Sequence, residues 1–511
     1  MHSPSVLFDE EDPQGQGETA TAPPFFRDLN LDQVVDAITA RRDEYDLKPL
    51  FYTALHSEHT IRYRQAVFQD LERASTLEAI RKFAEEMRVV RRHLALTQKL
   101  YYKYNREGWF LEAAARYRDA VTGLADALTH ADLRARGLIQ LRDYLADYAQ
   151  RGDFQTFVTD IDNCRAGLTS IRYCIIVRDS SVRVRKYAGE IDYSVDVEAT
   201  FARFQQGAVK DYRLKLSIGS GMNHVEAAIL DMVAKLYPDI FASLDAFCVE
   251  HSNFLDPVVA RFDREIQFYV GYLELIASVK AIGLPFCYPE ITSADKEIFA
   301  NASFDLALAV KAVAEEKTVV GNDFFLKGAE RIFVVSGPNQ GGKTTFARMF
   351  GQLHHLARLG CPTPGTRARL FLCDAIFTHF EQEEDISNLR GKLQDDLVRI
   401  HAILTEATPS SIIIMNEIFT STTLQDAILL SKQILTQIIR LDALAVCVTF
   451  IEELATLDVK TVSMVGGVVP DNPAQRTYKI ERRPADGLSY ALSIAEKYRL
   501  TYAALKERIP V

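Results

Sequence analysis

A glycine-rich stretch at residues 337–345 has the residue types and spacing that phosphate binding requires. It reads Gly337-Pro338-Asn339-Gln340-Gly341-Gly342-Lys343-Thr344-Thr345 and fits the pattern G-x-x-x-x-G-K-[ST]. In such a loop, backbone N–H groups and the positive end of the following helix dipole converge on phosphate oxygens. The alternative interpretation, a glycine-rich turn without a ligand, leaves Lys343 and Thr344 unexplained.

The segments on both sides of this loop supply the structural context that the pattern needs. Residues 331–336 include Ile332 to Val335, an apolar run typical of a short buried strand. The apolar residues after the loop recur at helical spacing: Phe346, Met349, Phe350, Leu353 and Leu356. A strand, a glycine-rich loop and a helix therefore follow one another, which predicts a nucleotide phosphate site.

A second apolar strand predicted at residues 411–415 ends in Asn416-Glu417. In P-loop ATPases, carboxylates at the end of this strand hold the magnesium shell and activate the attacking water. Glu417 is therefore our candidate general base, and Asn416, with Thr344, our candidate magnesium contact. Asn416 stands where an aspartate is usual. Further strands are predicted at 444–449, 461–469 and 476–481.

The residue pattern changes several times along the chain between helical periodicity and strand-like alternation. These changes predict a multidomain protein of α and α/β type. A polar tail is expected to be disordered, and a helical region, a small β-containing insert and returning helices come before a P-loop α/β domain. The corresponding ranges are 1–24, 25–153, 154–222, 223–290 and 291–511.

The insert is rich in basic residues that alternate with apolar ones. Strands are predicted near 170–177, 182–187 and 214–218, with a turn at 179–181. Alternation places Arg183 and Arg185 on one sheet face, and with Lys186 they are our candidates for DNA phosphate contacts. A solvated sheet face without a ligand explains the same residues equally well.

Composition sets broad limits on the class of protein. The 511 residues are 48% hydrophobic and carry a net charge of -10, which argues against nucleic acid coating the whole chain but permits a local basic surface. The seven cysteines include no C-x-x-C pair, so buried free thiols in a reducing compartment are expected. We find no apolar run long enough to span a bilayer and no signal pattern, and we expect a cytoplasmic protein.

Several motifs together resemble the MutS family of DNA mismatch-repair ATPases. Gly337-Pro338-Asn339 is similar to the opening of the family's nucleotide loop, and Gly321-Asn322-Asp323 to its upstream Asn-Asp element. Three further elements are similar to family segments: Asp374-Ala375-Ile376-Phe377-Thr378, Asp426 after the Asn416-Glu417 strand, and Gly487-Leu488-Ser489-Tyr490-Ala491. The similarity is dense over 318–500 and weaker over 26–290. By this resemblance, the helices at 25–153 and 223–290 correspond to a core and lever region, the insert at 154–222 is clamp-like, and 291–511 is a P-loop ATPase domain of the ABC type.

The resemblance implies an ATP-dependent DNA-binding protein that uses ATP and Mg²⁺. By that resemblance, Lys343 and Thr344 contact phosphates and magnesium, Asn339 contacts the terminal phosphate, and Glu417 activates water. Asn322 and the remaining loop residues would complete the nucleotide site. Family members pair two ATPase domains, so a homodimer that clamps duplex or branched DNA is expected, with ATP gating its engagement in repair or recombination.

The chain also departs from the family's pattern. Asn416 replaces an aspartate, Phe450 stands where a histidine is expected, and Gly391-Lys392-Leu393 and 419–422 differ from the family's segments. These changes fall on nucleotide-sensing positions, so we expect weaker magnesium binding and slow, DNA-dependent hydrolysis. The residues before Phe26 leave no room for the mismatch-recognition and connector domains, so classical mismatch reading is not expected.

Two other interpretations remain open. A nucleotide-gated scaffold that binds a protein partner and barely hydrolyses ATP would explain Asn416, Phe450 and the acidic net charge. A different P-loop machine, of the chromosome-maintenance or ABC type, is less well supported because we find no Leu-Ser-Gly-Gly-type signature. Turnover that Glu417→Gln abolishes would argue against the scaffold.

Overall fold

The computed structural model describes residues 4–9, 18–178, 181–190, 222–381, 391–469, 472–485 and 506. The chain divides into two compact units. Unit 1 comprises mainly residues 73–133 and 138–263, and unit 2 comprises residues 5–72, 134–137 and 264 onward. In the residues that the structure describes, unit 1 is helical with a β-hairpin, and unit 2 combines helices with sheets, so the prediction of a mixed α and α/β protein is confirmed at this level.

The α-helices, in chain order, are α1 Phe25–Asp28, α2 Leu31–Thr39, α3 Lys48–Tyr52, α4 Glu58–Leu71, α5 Ala74–Thr97, α6 Lys103–His130, α7 Arg136–Gln150, α8 Gly152–Ser170, α9 His224–Leu236, α10 Pro238–Glu250, α11 Pro257–Ala281, α12 Leu306–Glu315, α13 Lys343–Arg358, α14 Lys392–Glu406 and α15 Leu424–Leu441. Short 3₁₀ turns occur at Asp43–Tyr45 and Glu452–Thr456.

The strands are β1 Tyr173–Arg178, β2 Ser181–Lys186, β3 Phe286–Cys287, β4 Glu290–Thr292, β5 Ile298–Ser303, β6 Asn322–Leu326, β7 Ile332–Ser336, β8 Thr363–Pro364, β9 Arg367–Phe371, β10 Ile376–Phe380, β11 Ile412–Asn416, β12 Leu444–Val448, β13 Thr461–Val469 and β14 Asn472–Arg482. The strands predicted around 331–336, 411–415, 444–449, 461–469 and 476–481 are therefore confirmed.

The main sheet of unit 2 has the strand order β10-β11-β12-β7-β13-β14. Its strands pair in parallel except at the β13–β14 edge, which is antiparallel. Every residue of β7, β11 and β12 is buried, as expected for central parallel strands covered on both faces. Because parallel strands end at one edge, the segments that follow β7, β11 and β12 meet there.

Helices cover both faces of this sheet. On one face, α13 packs its Phe346 and Phe350 rings against Phe333 of β7, with ring centroids 6.1 and 5.9 Å apart. On the other face, Leu435 and Ile438 of α15 belong to one buried cluster with strand residues that include Ile332, Val334, Ile413 and Cys447. The helix that begins at Lys343 is thereby held rigidly against the strands that end at the same edge.

Residues 5–9 are packed into unit 2, although composition predicts disorder for 1–24. Val6 and Leu7 are fully buried. The Ser5 hydroxyl and the Val6 N–H donate hydrogen bonds to the Glu265 carboxylate at 2.9 and 2.8 Å. The apolar run Val6 to Phe8 is too short to raise the mean hydropathy of the polar segment 1–24. Its packing depends instead on Glu265, a buried residue far along the chain.

In unit 1, α5 and α6 form a long antiparallel pair, and the buried Tyr117 hydroxyl accepts a hydrogen bond from the Asp256 N–H at 3.1 Å. Strands β1 and β2 form an antiparallel hairpin, which confirms the first two strands predicted for the insert. Residues 179–180 of the predicted turn and the strand predicted at 214–218 lie outside the described residues.

The state of the cysteines and the apolar character of the helices are two features that composition predicts. All seven cysteines are free thiols, as expected, and four of them are buried: Cys164, Cys361, Cys373 and Cys447. Among the described residues, the helices include none with the length and apolar character needed to cross a bilayer.

Candidate functional site

The glycine-rich loop leaves β7 in a conformation that depends on its glycines. Gly337 has φ +118°, and a Cβ there would lie 2.8 Å from the backbone nitrogen of Gly466. Gly342 has φ +94° and precedes the first residue of α13. Between them, the Gly341 N–H donates to the Pro338 carbonyl at 3.2 Å, which closes the loop. Asn339 and Gln340 are exposed on its outer side.

Lys343 is the charged centre of the site and is only 4% exposed. Its Nζ donates to the Gly337 carbonyl at 2.9 Å and lies 3.9 Å from Glu417 Oε1. Burial lowers the pKa of Lys343 from its ordinary value, Glu417 partly offsets that effect, and Arg476 adds to it. A poorly solvated ammonium group with one distant carboxylate is well suited to bind an anion.

The end of β11 lies beside the start of α13. The Thr344 hydroxyl donates to Asn416 Oδ1 at 2.9 Å, so the two predicted magnesium contacts are adjacent. Glu417 follows with φ +54°, and its N–H donates to the Val448 carbonyl at 2.9 Å. A positive φ in a glutamate is strained, and the bond to β12 holds the residue in this conformation.

Phe450 follows β12 and covers Lys343. Lys343 Nζ lies 4.2 Å from the centre of the Phe450 ring, within cation–π range, and the ring is 52% exposed. The neighbouring Thr449 N–H donates to the Val335 carbonyl at 3.0 Å, and the Ile451 N–H donates to the Thr449 hydroxyl at 3.0 Å. Phe450 therefore projects from a tightly held turn, at the position where the resemblance predicts a histidine.

A cavity of about 470 Å³ opens beside the loop. Lys343, Thr344 and Glu417 line its polar part. The remaining lining residues are Leu308, Thr318, Val319, Val320, Asn322, Gln340, Gly342, Thr345 and Tyr478. One cavity thus combines a cationic loop with aliphatic and aromatic side chains, which matches a ligand that carries both phosphates and an apolar ring.

The resemblance predicts that Asn322 belongs to the nucleotide site, and Asn322 lines the cavity, where its side chain is bonded to backbone groups of β14. Its Oδ1 accepts from the Ile480 N–H at 2.7 Å, and its Nδ2 donates to the Tyr478 carbonyl at 3.2 Å. Both ends of the carboxamide are therefore engaged with β14. Sequence reasoning did not single out Tyr478, because Thr477 to Ile480 reads as an ordinary strand.

The other motif residues lie away from the cavity lining. Asp374 accepts from the Ser411 hydroxyl at 2.8 Å, at the start of β11 rather than its end. Asp426 lies in the first turn of α15, where its Oδ2 accepts from the Thr423 hydroxyl at 2.7 Å. Gly391 is the N-cap of α14. The segment 487–491 lies outside the described residues.

The hairpin separates the three basic residues predicted to contact DNA. Opposite residues of an antiparallel pair share a face, and Arg183 and Arg185 lie opposite Ile176 and Cys174 on one face. Lys186 lies on the other face, with its Nζ 4.7 Å from the Tyr237 ring centre. The expected pairing of Arg183 with Arg185 is therefore observed, whereas Lys186 does not belong to their surface. Arg185 also forms a 2.6 Å ion pair with Glu190.

Comparison with known proteins agrees with the motif at the loop. Residues 333–506 match the family model described as MutS domain V. The DNA mismatch repair protein MutS of Rickettsia bellii is 30% identical over 141 residues, which are 26% of this chain and 16% of that protein. The DNA mismatch repair protein MutS of Petrotoga mobilis is 26% identical over 204 residues, 37% of this chain and 25% of that protein.

A third relative, the endonuclease MutS2 of Gemmatimonas aurantiaca, is 28% identical over 204 residues, which are 39% of this chain and 25% of that protein. The chain thus matches a quarter or less of the length of each of these three relatives. Residues 333–506 contain the glycine-rich loop, the ends of β11 and β12 that border it, and the main sheet to which these strands belong. Residues 333–506 therefore carry a MutS domain V, and these matches support a protein of the MutS family.

Proposed function

We propose that this protein binds ATP in the cavity beside the glycine-rich loop, hydrolyses it slowly and uses it to gate DNA binding. The observation that carries the proposal is the single cavity that joins Lys343 and Thr344 to an apolar end. The triphosphate would lie along the loop N–H groups and Lys343. The base would lie against Val319, Val320 and the half-exposed ring of Tyr478.

Thr344 and Asn416 are suited to a magnesium ion that the nucleotide brings with it. Their oxygens are 2.9 Å apart, and the Glu417 carboxylate is the next residue. Mg²⁺ in nucleotide sites is commonly bound by one or two protein oxygens together with phosphates and waters. The ion would neutralise charge on the phosphates, and the neutral Asn416 would support it less strongly than a carboxylate.

A candidate base for hydrolysis is present, whereas Phe450 supports slow rather than rapid turnover. Glu417 is the candidate base that would take a proton from the attacking water, and its Oε1 lies 3.9 Å from the Lys343 ammonium group. Phe450 provides an aromatic face where a histidine could have donated a hydrogen bond to phosphate. The residues present therefore support ATP binding well, whereas fewer of them are suited to accelerate ATP hydrolysis.

Lys343→Met tests the nucleotide site, because methionine keeps an apolar side chain of similar length and removes the charge. Loss of charge-assisted hydrogen bonds to phosphate is expected to raise the ATP dissociation constant about 10- to 100-fold. Calorimetric titration with Mg-ATP measures the effect, and the exposed Lys327→Met is the matched control. Equal ATP affinity of the Lys343 variant and the original protein would contradict the proposal.

We also propose that the hairpin lies in a clamp-like insert at 154–222, between helical segments 25–153 and 223–290, and that it contacts the phosphates of duplex or branched DNA. Arg183 and Arg185 are exposed on one hairpin face, as a phosphate contact requires. A homodimer through the ATPase domains at 291–511 completes the proposal, and family resemblance alone supports that part. Sedimentation with and without ATP tests it.

Arg183→Ala is expected to lower the salt dependence of DNA binding. Each phosphate contact contributes about 0.9 to the slope of log affinity against log salt, so the slope should fall by about that amount. Fluorescence anisotropy with a short duplex and a four-way junction between low and moderate salt gives the slope. Lys186→Ala, on the opposite hairpin face, should leave it unchanged; equal effects of both variants would argue for a diffuse basic surface instead.

A second candidate function is a nucleotide-gated scaffold that binds a protein partner and hydrolyses little or no ATP. The neutral Asn416 beside Thr344 and the Phe450 ring over Lys343 favour it. Both candidates predict ATP binding, so turnover is the measurement that separates them.

A further inference from the structure

Strand β14 carries an irregularity at the point where it passes the glycine-rich loop. Its register with β13 runs from Gly466 opposite Ile480 to Val468 opposite Arg476, so three residues of β14 lie opposite one residue of β13. Such a bulge redirects a side chain that a regular strand would present elsewhere. Tyr478 occupies its centre with φ +58°, a left-handed conformation that is rare for an aromatic residue.

Asn322 supplies the hydrogen bonds that hold this bulge. It is the first residue of β6 and is 8% exposed. Its carboxamide bridges the Tyr478 carbonyl and the Ile480 N–H, at 3.2 and 2.7 Å, and thereby grips the backbone on both sides of Lys479. The Lys479 side chain bonds to the Gly321 carbonyl and ties the same two segments together.

The bulge brings Tyr478 to the cavity. A Cβ at Gly342 would lie 3.7 Å from the Tyr478 carbonyl oxygen, so this residue borders the loop where α13 begins. Tyr478 is 51% exposed and lines the cavity together with Leu308, Val319 and Val320. The ring is therefore available to a flat ligand, while the backbone beneath it is fixed by a side chain from another strand.

We infer that Asn322 is a positioning residue that holds Tyr478 against the aromatic base of the bound nucleotide, without touching the nucleotide itself. This inference rests on the proposed ATP site. Because Asn322 acts through Tyr478, it affects binding of the base and leaves binding of the phosphates to Lys343 and Thr344 unaffected.

The test compares ATP with inorganic tripolyphosphate, which has the phosphates and lacks the base. Asn322→Asp keeps the shape of the side chain but replaces the donor to the Tyr478 carbonyl with an oxygen that repels it. Stacking of a base on an aromatic ring is strong enough that ATP affinity is expected to fall about tenfold in this variant. Tripolyphosphate affinity is expected to stay the same, so the ratio of the two affinities is the readout.

Tyr478→Gly provides the second arm, because glycine accepts the positive φ and removes the ring. It should lower ATP affinity as Asn322→Asp does, and adding Asn322→Asp to it should cause no further loss. Should Asn322→Asp fail to fold, as judged by its thermal unfolding, Asn322→Ser replaces it, since a hydroxyl is too short to bridge both backbone groups.

The outcomes separate this inference from the proposed function. An equal loss of ATP and tripolyphosphate affinity in Asn322→Asp, or a full additional loss in the Tyr478→Gly background, would overturn the positioning role. Equal affinity of the original protein for the two ligands would also overturn it, while the phosphate site stands. Binding of neither ligand by the original protein would overturn the proposed function itself.

Discussion

Replacing Glu417 with glutamine is expected to lower the rate of ATP hydrolysis about 100- to 10,000-fold, the usual contribution of a positioned general base. Glutamine has nearly the same shape as glutamate but cannot accept a proton from water. The residue follows the last residue of β11, and its N–H is bonded to Val448, so the side chain starts from a fixed backbone position. ATP affinity should change little, because Lys343 retains its loop carbonyl contacts and Thr344 retains Asn416.

Single-turnover phosphate release, with and without DNA, measures this effect together with ATP affinity. Glu406→Gln, an exposed substitution of the same kind at the end of α14, is the matched control and should leave the rate unchanged. A rate that Glu417→Gln leaves intact would remove Glu417 from the mechanism. An original protein that binds ATP but shows no turnover would favour the nucleotide-gated scaffold.

Acid is expected to destabilise the protein in part through His354, a fully buried histidine of α13. Burial lowers the pKa of His354 from its ordinary value of 6.5 to about 4, the bond to the Phe350 carbonyl partly offsets this, and Arg358 adds to it. Its Nδ1 is bonded to that carbonyl at 2.8 Å, and its Nε2 is buried without a partner among the described residues. The folded protein therefore holds this ring neutral where the unfolded chain would protonate it.

The direction of this pH effect on the free energy of unfolding follows from the number of protons that each state binds. Between pH 6.5 and about 4, the unfolded state binds a proton that the folded state does not, so the free energy of unfolding falls as the pH falls. His354 alone should account for a loss of about 2 kcal/mol between pH 7.5 and 5. Well above pH 6.5 the ring is neutral in both the folded and the unfolded state, and the full stability is retained there.

His354→Phe removes the titrating group and keeps a flat ring beside Phe350. Urea unfolding at pH 7.5 and 5 should show a smaller loss of stability in this variant than in the original protein, by about 2 kcal/mol. The exposed His401→Phe is the matched control and should keep the original pH dependence. His355, also buried, remains in both proteins, so the comparison isolates His354; an identical pH dependence in all three would contradict the assignment.

The sequence by itself identified the loop at 337–345, the strands at 331–336 and 411–415 that lead to Lys343 and Glu417, and the helix after the loop. These features are local. Glycine spacing reflects backbone angles within a few residues, and a continuous apolar run is sufficient to indicate a central parallel strand. The same is true of Arg183 and Arg185, because alternation alone puts residues two apart on one face.

The tertiary structure decided the features that depend on distant partners. Val6 and Leu7 are ordered through Glu265, which composition cannot reveal. Asn322 is bonded to the backbone of Tyr478 and Ile480, 156 and 158 residues further along the chain, and our proposal that it supports Tyr478 rests on those contacts. The bulge at Tyr478 depends on the register between β13 and β14, and that register is set by packing between strands rather than by the residues of either strand alone.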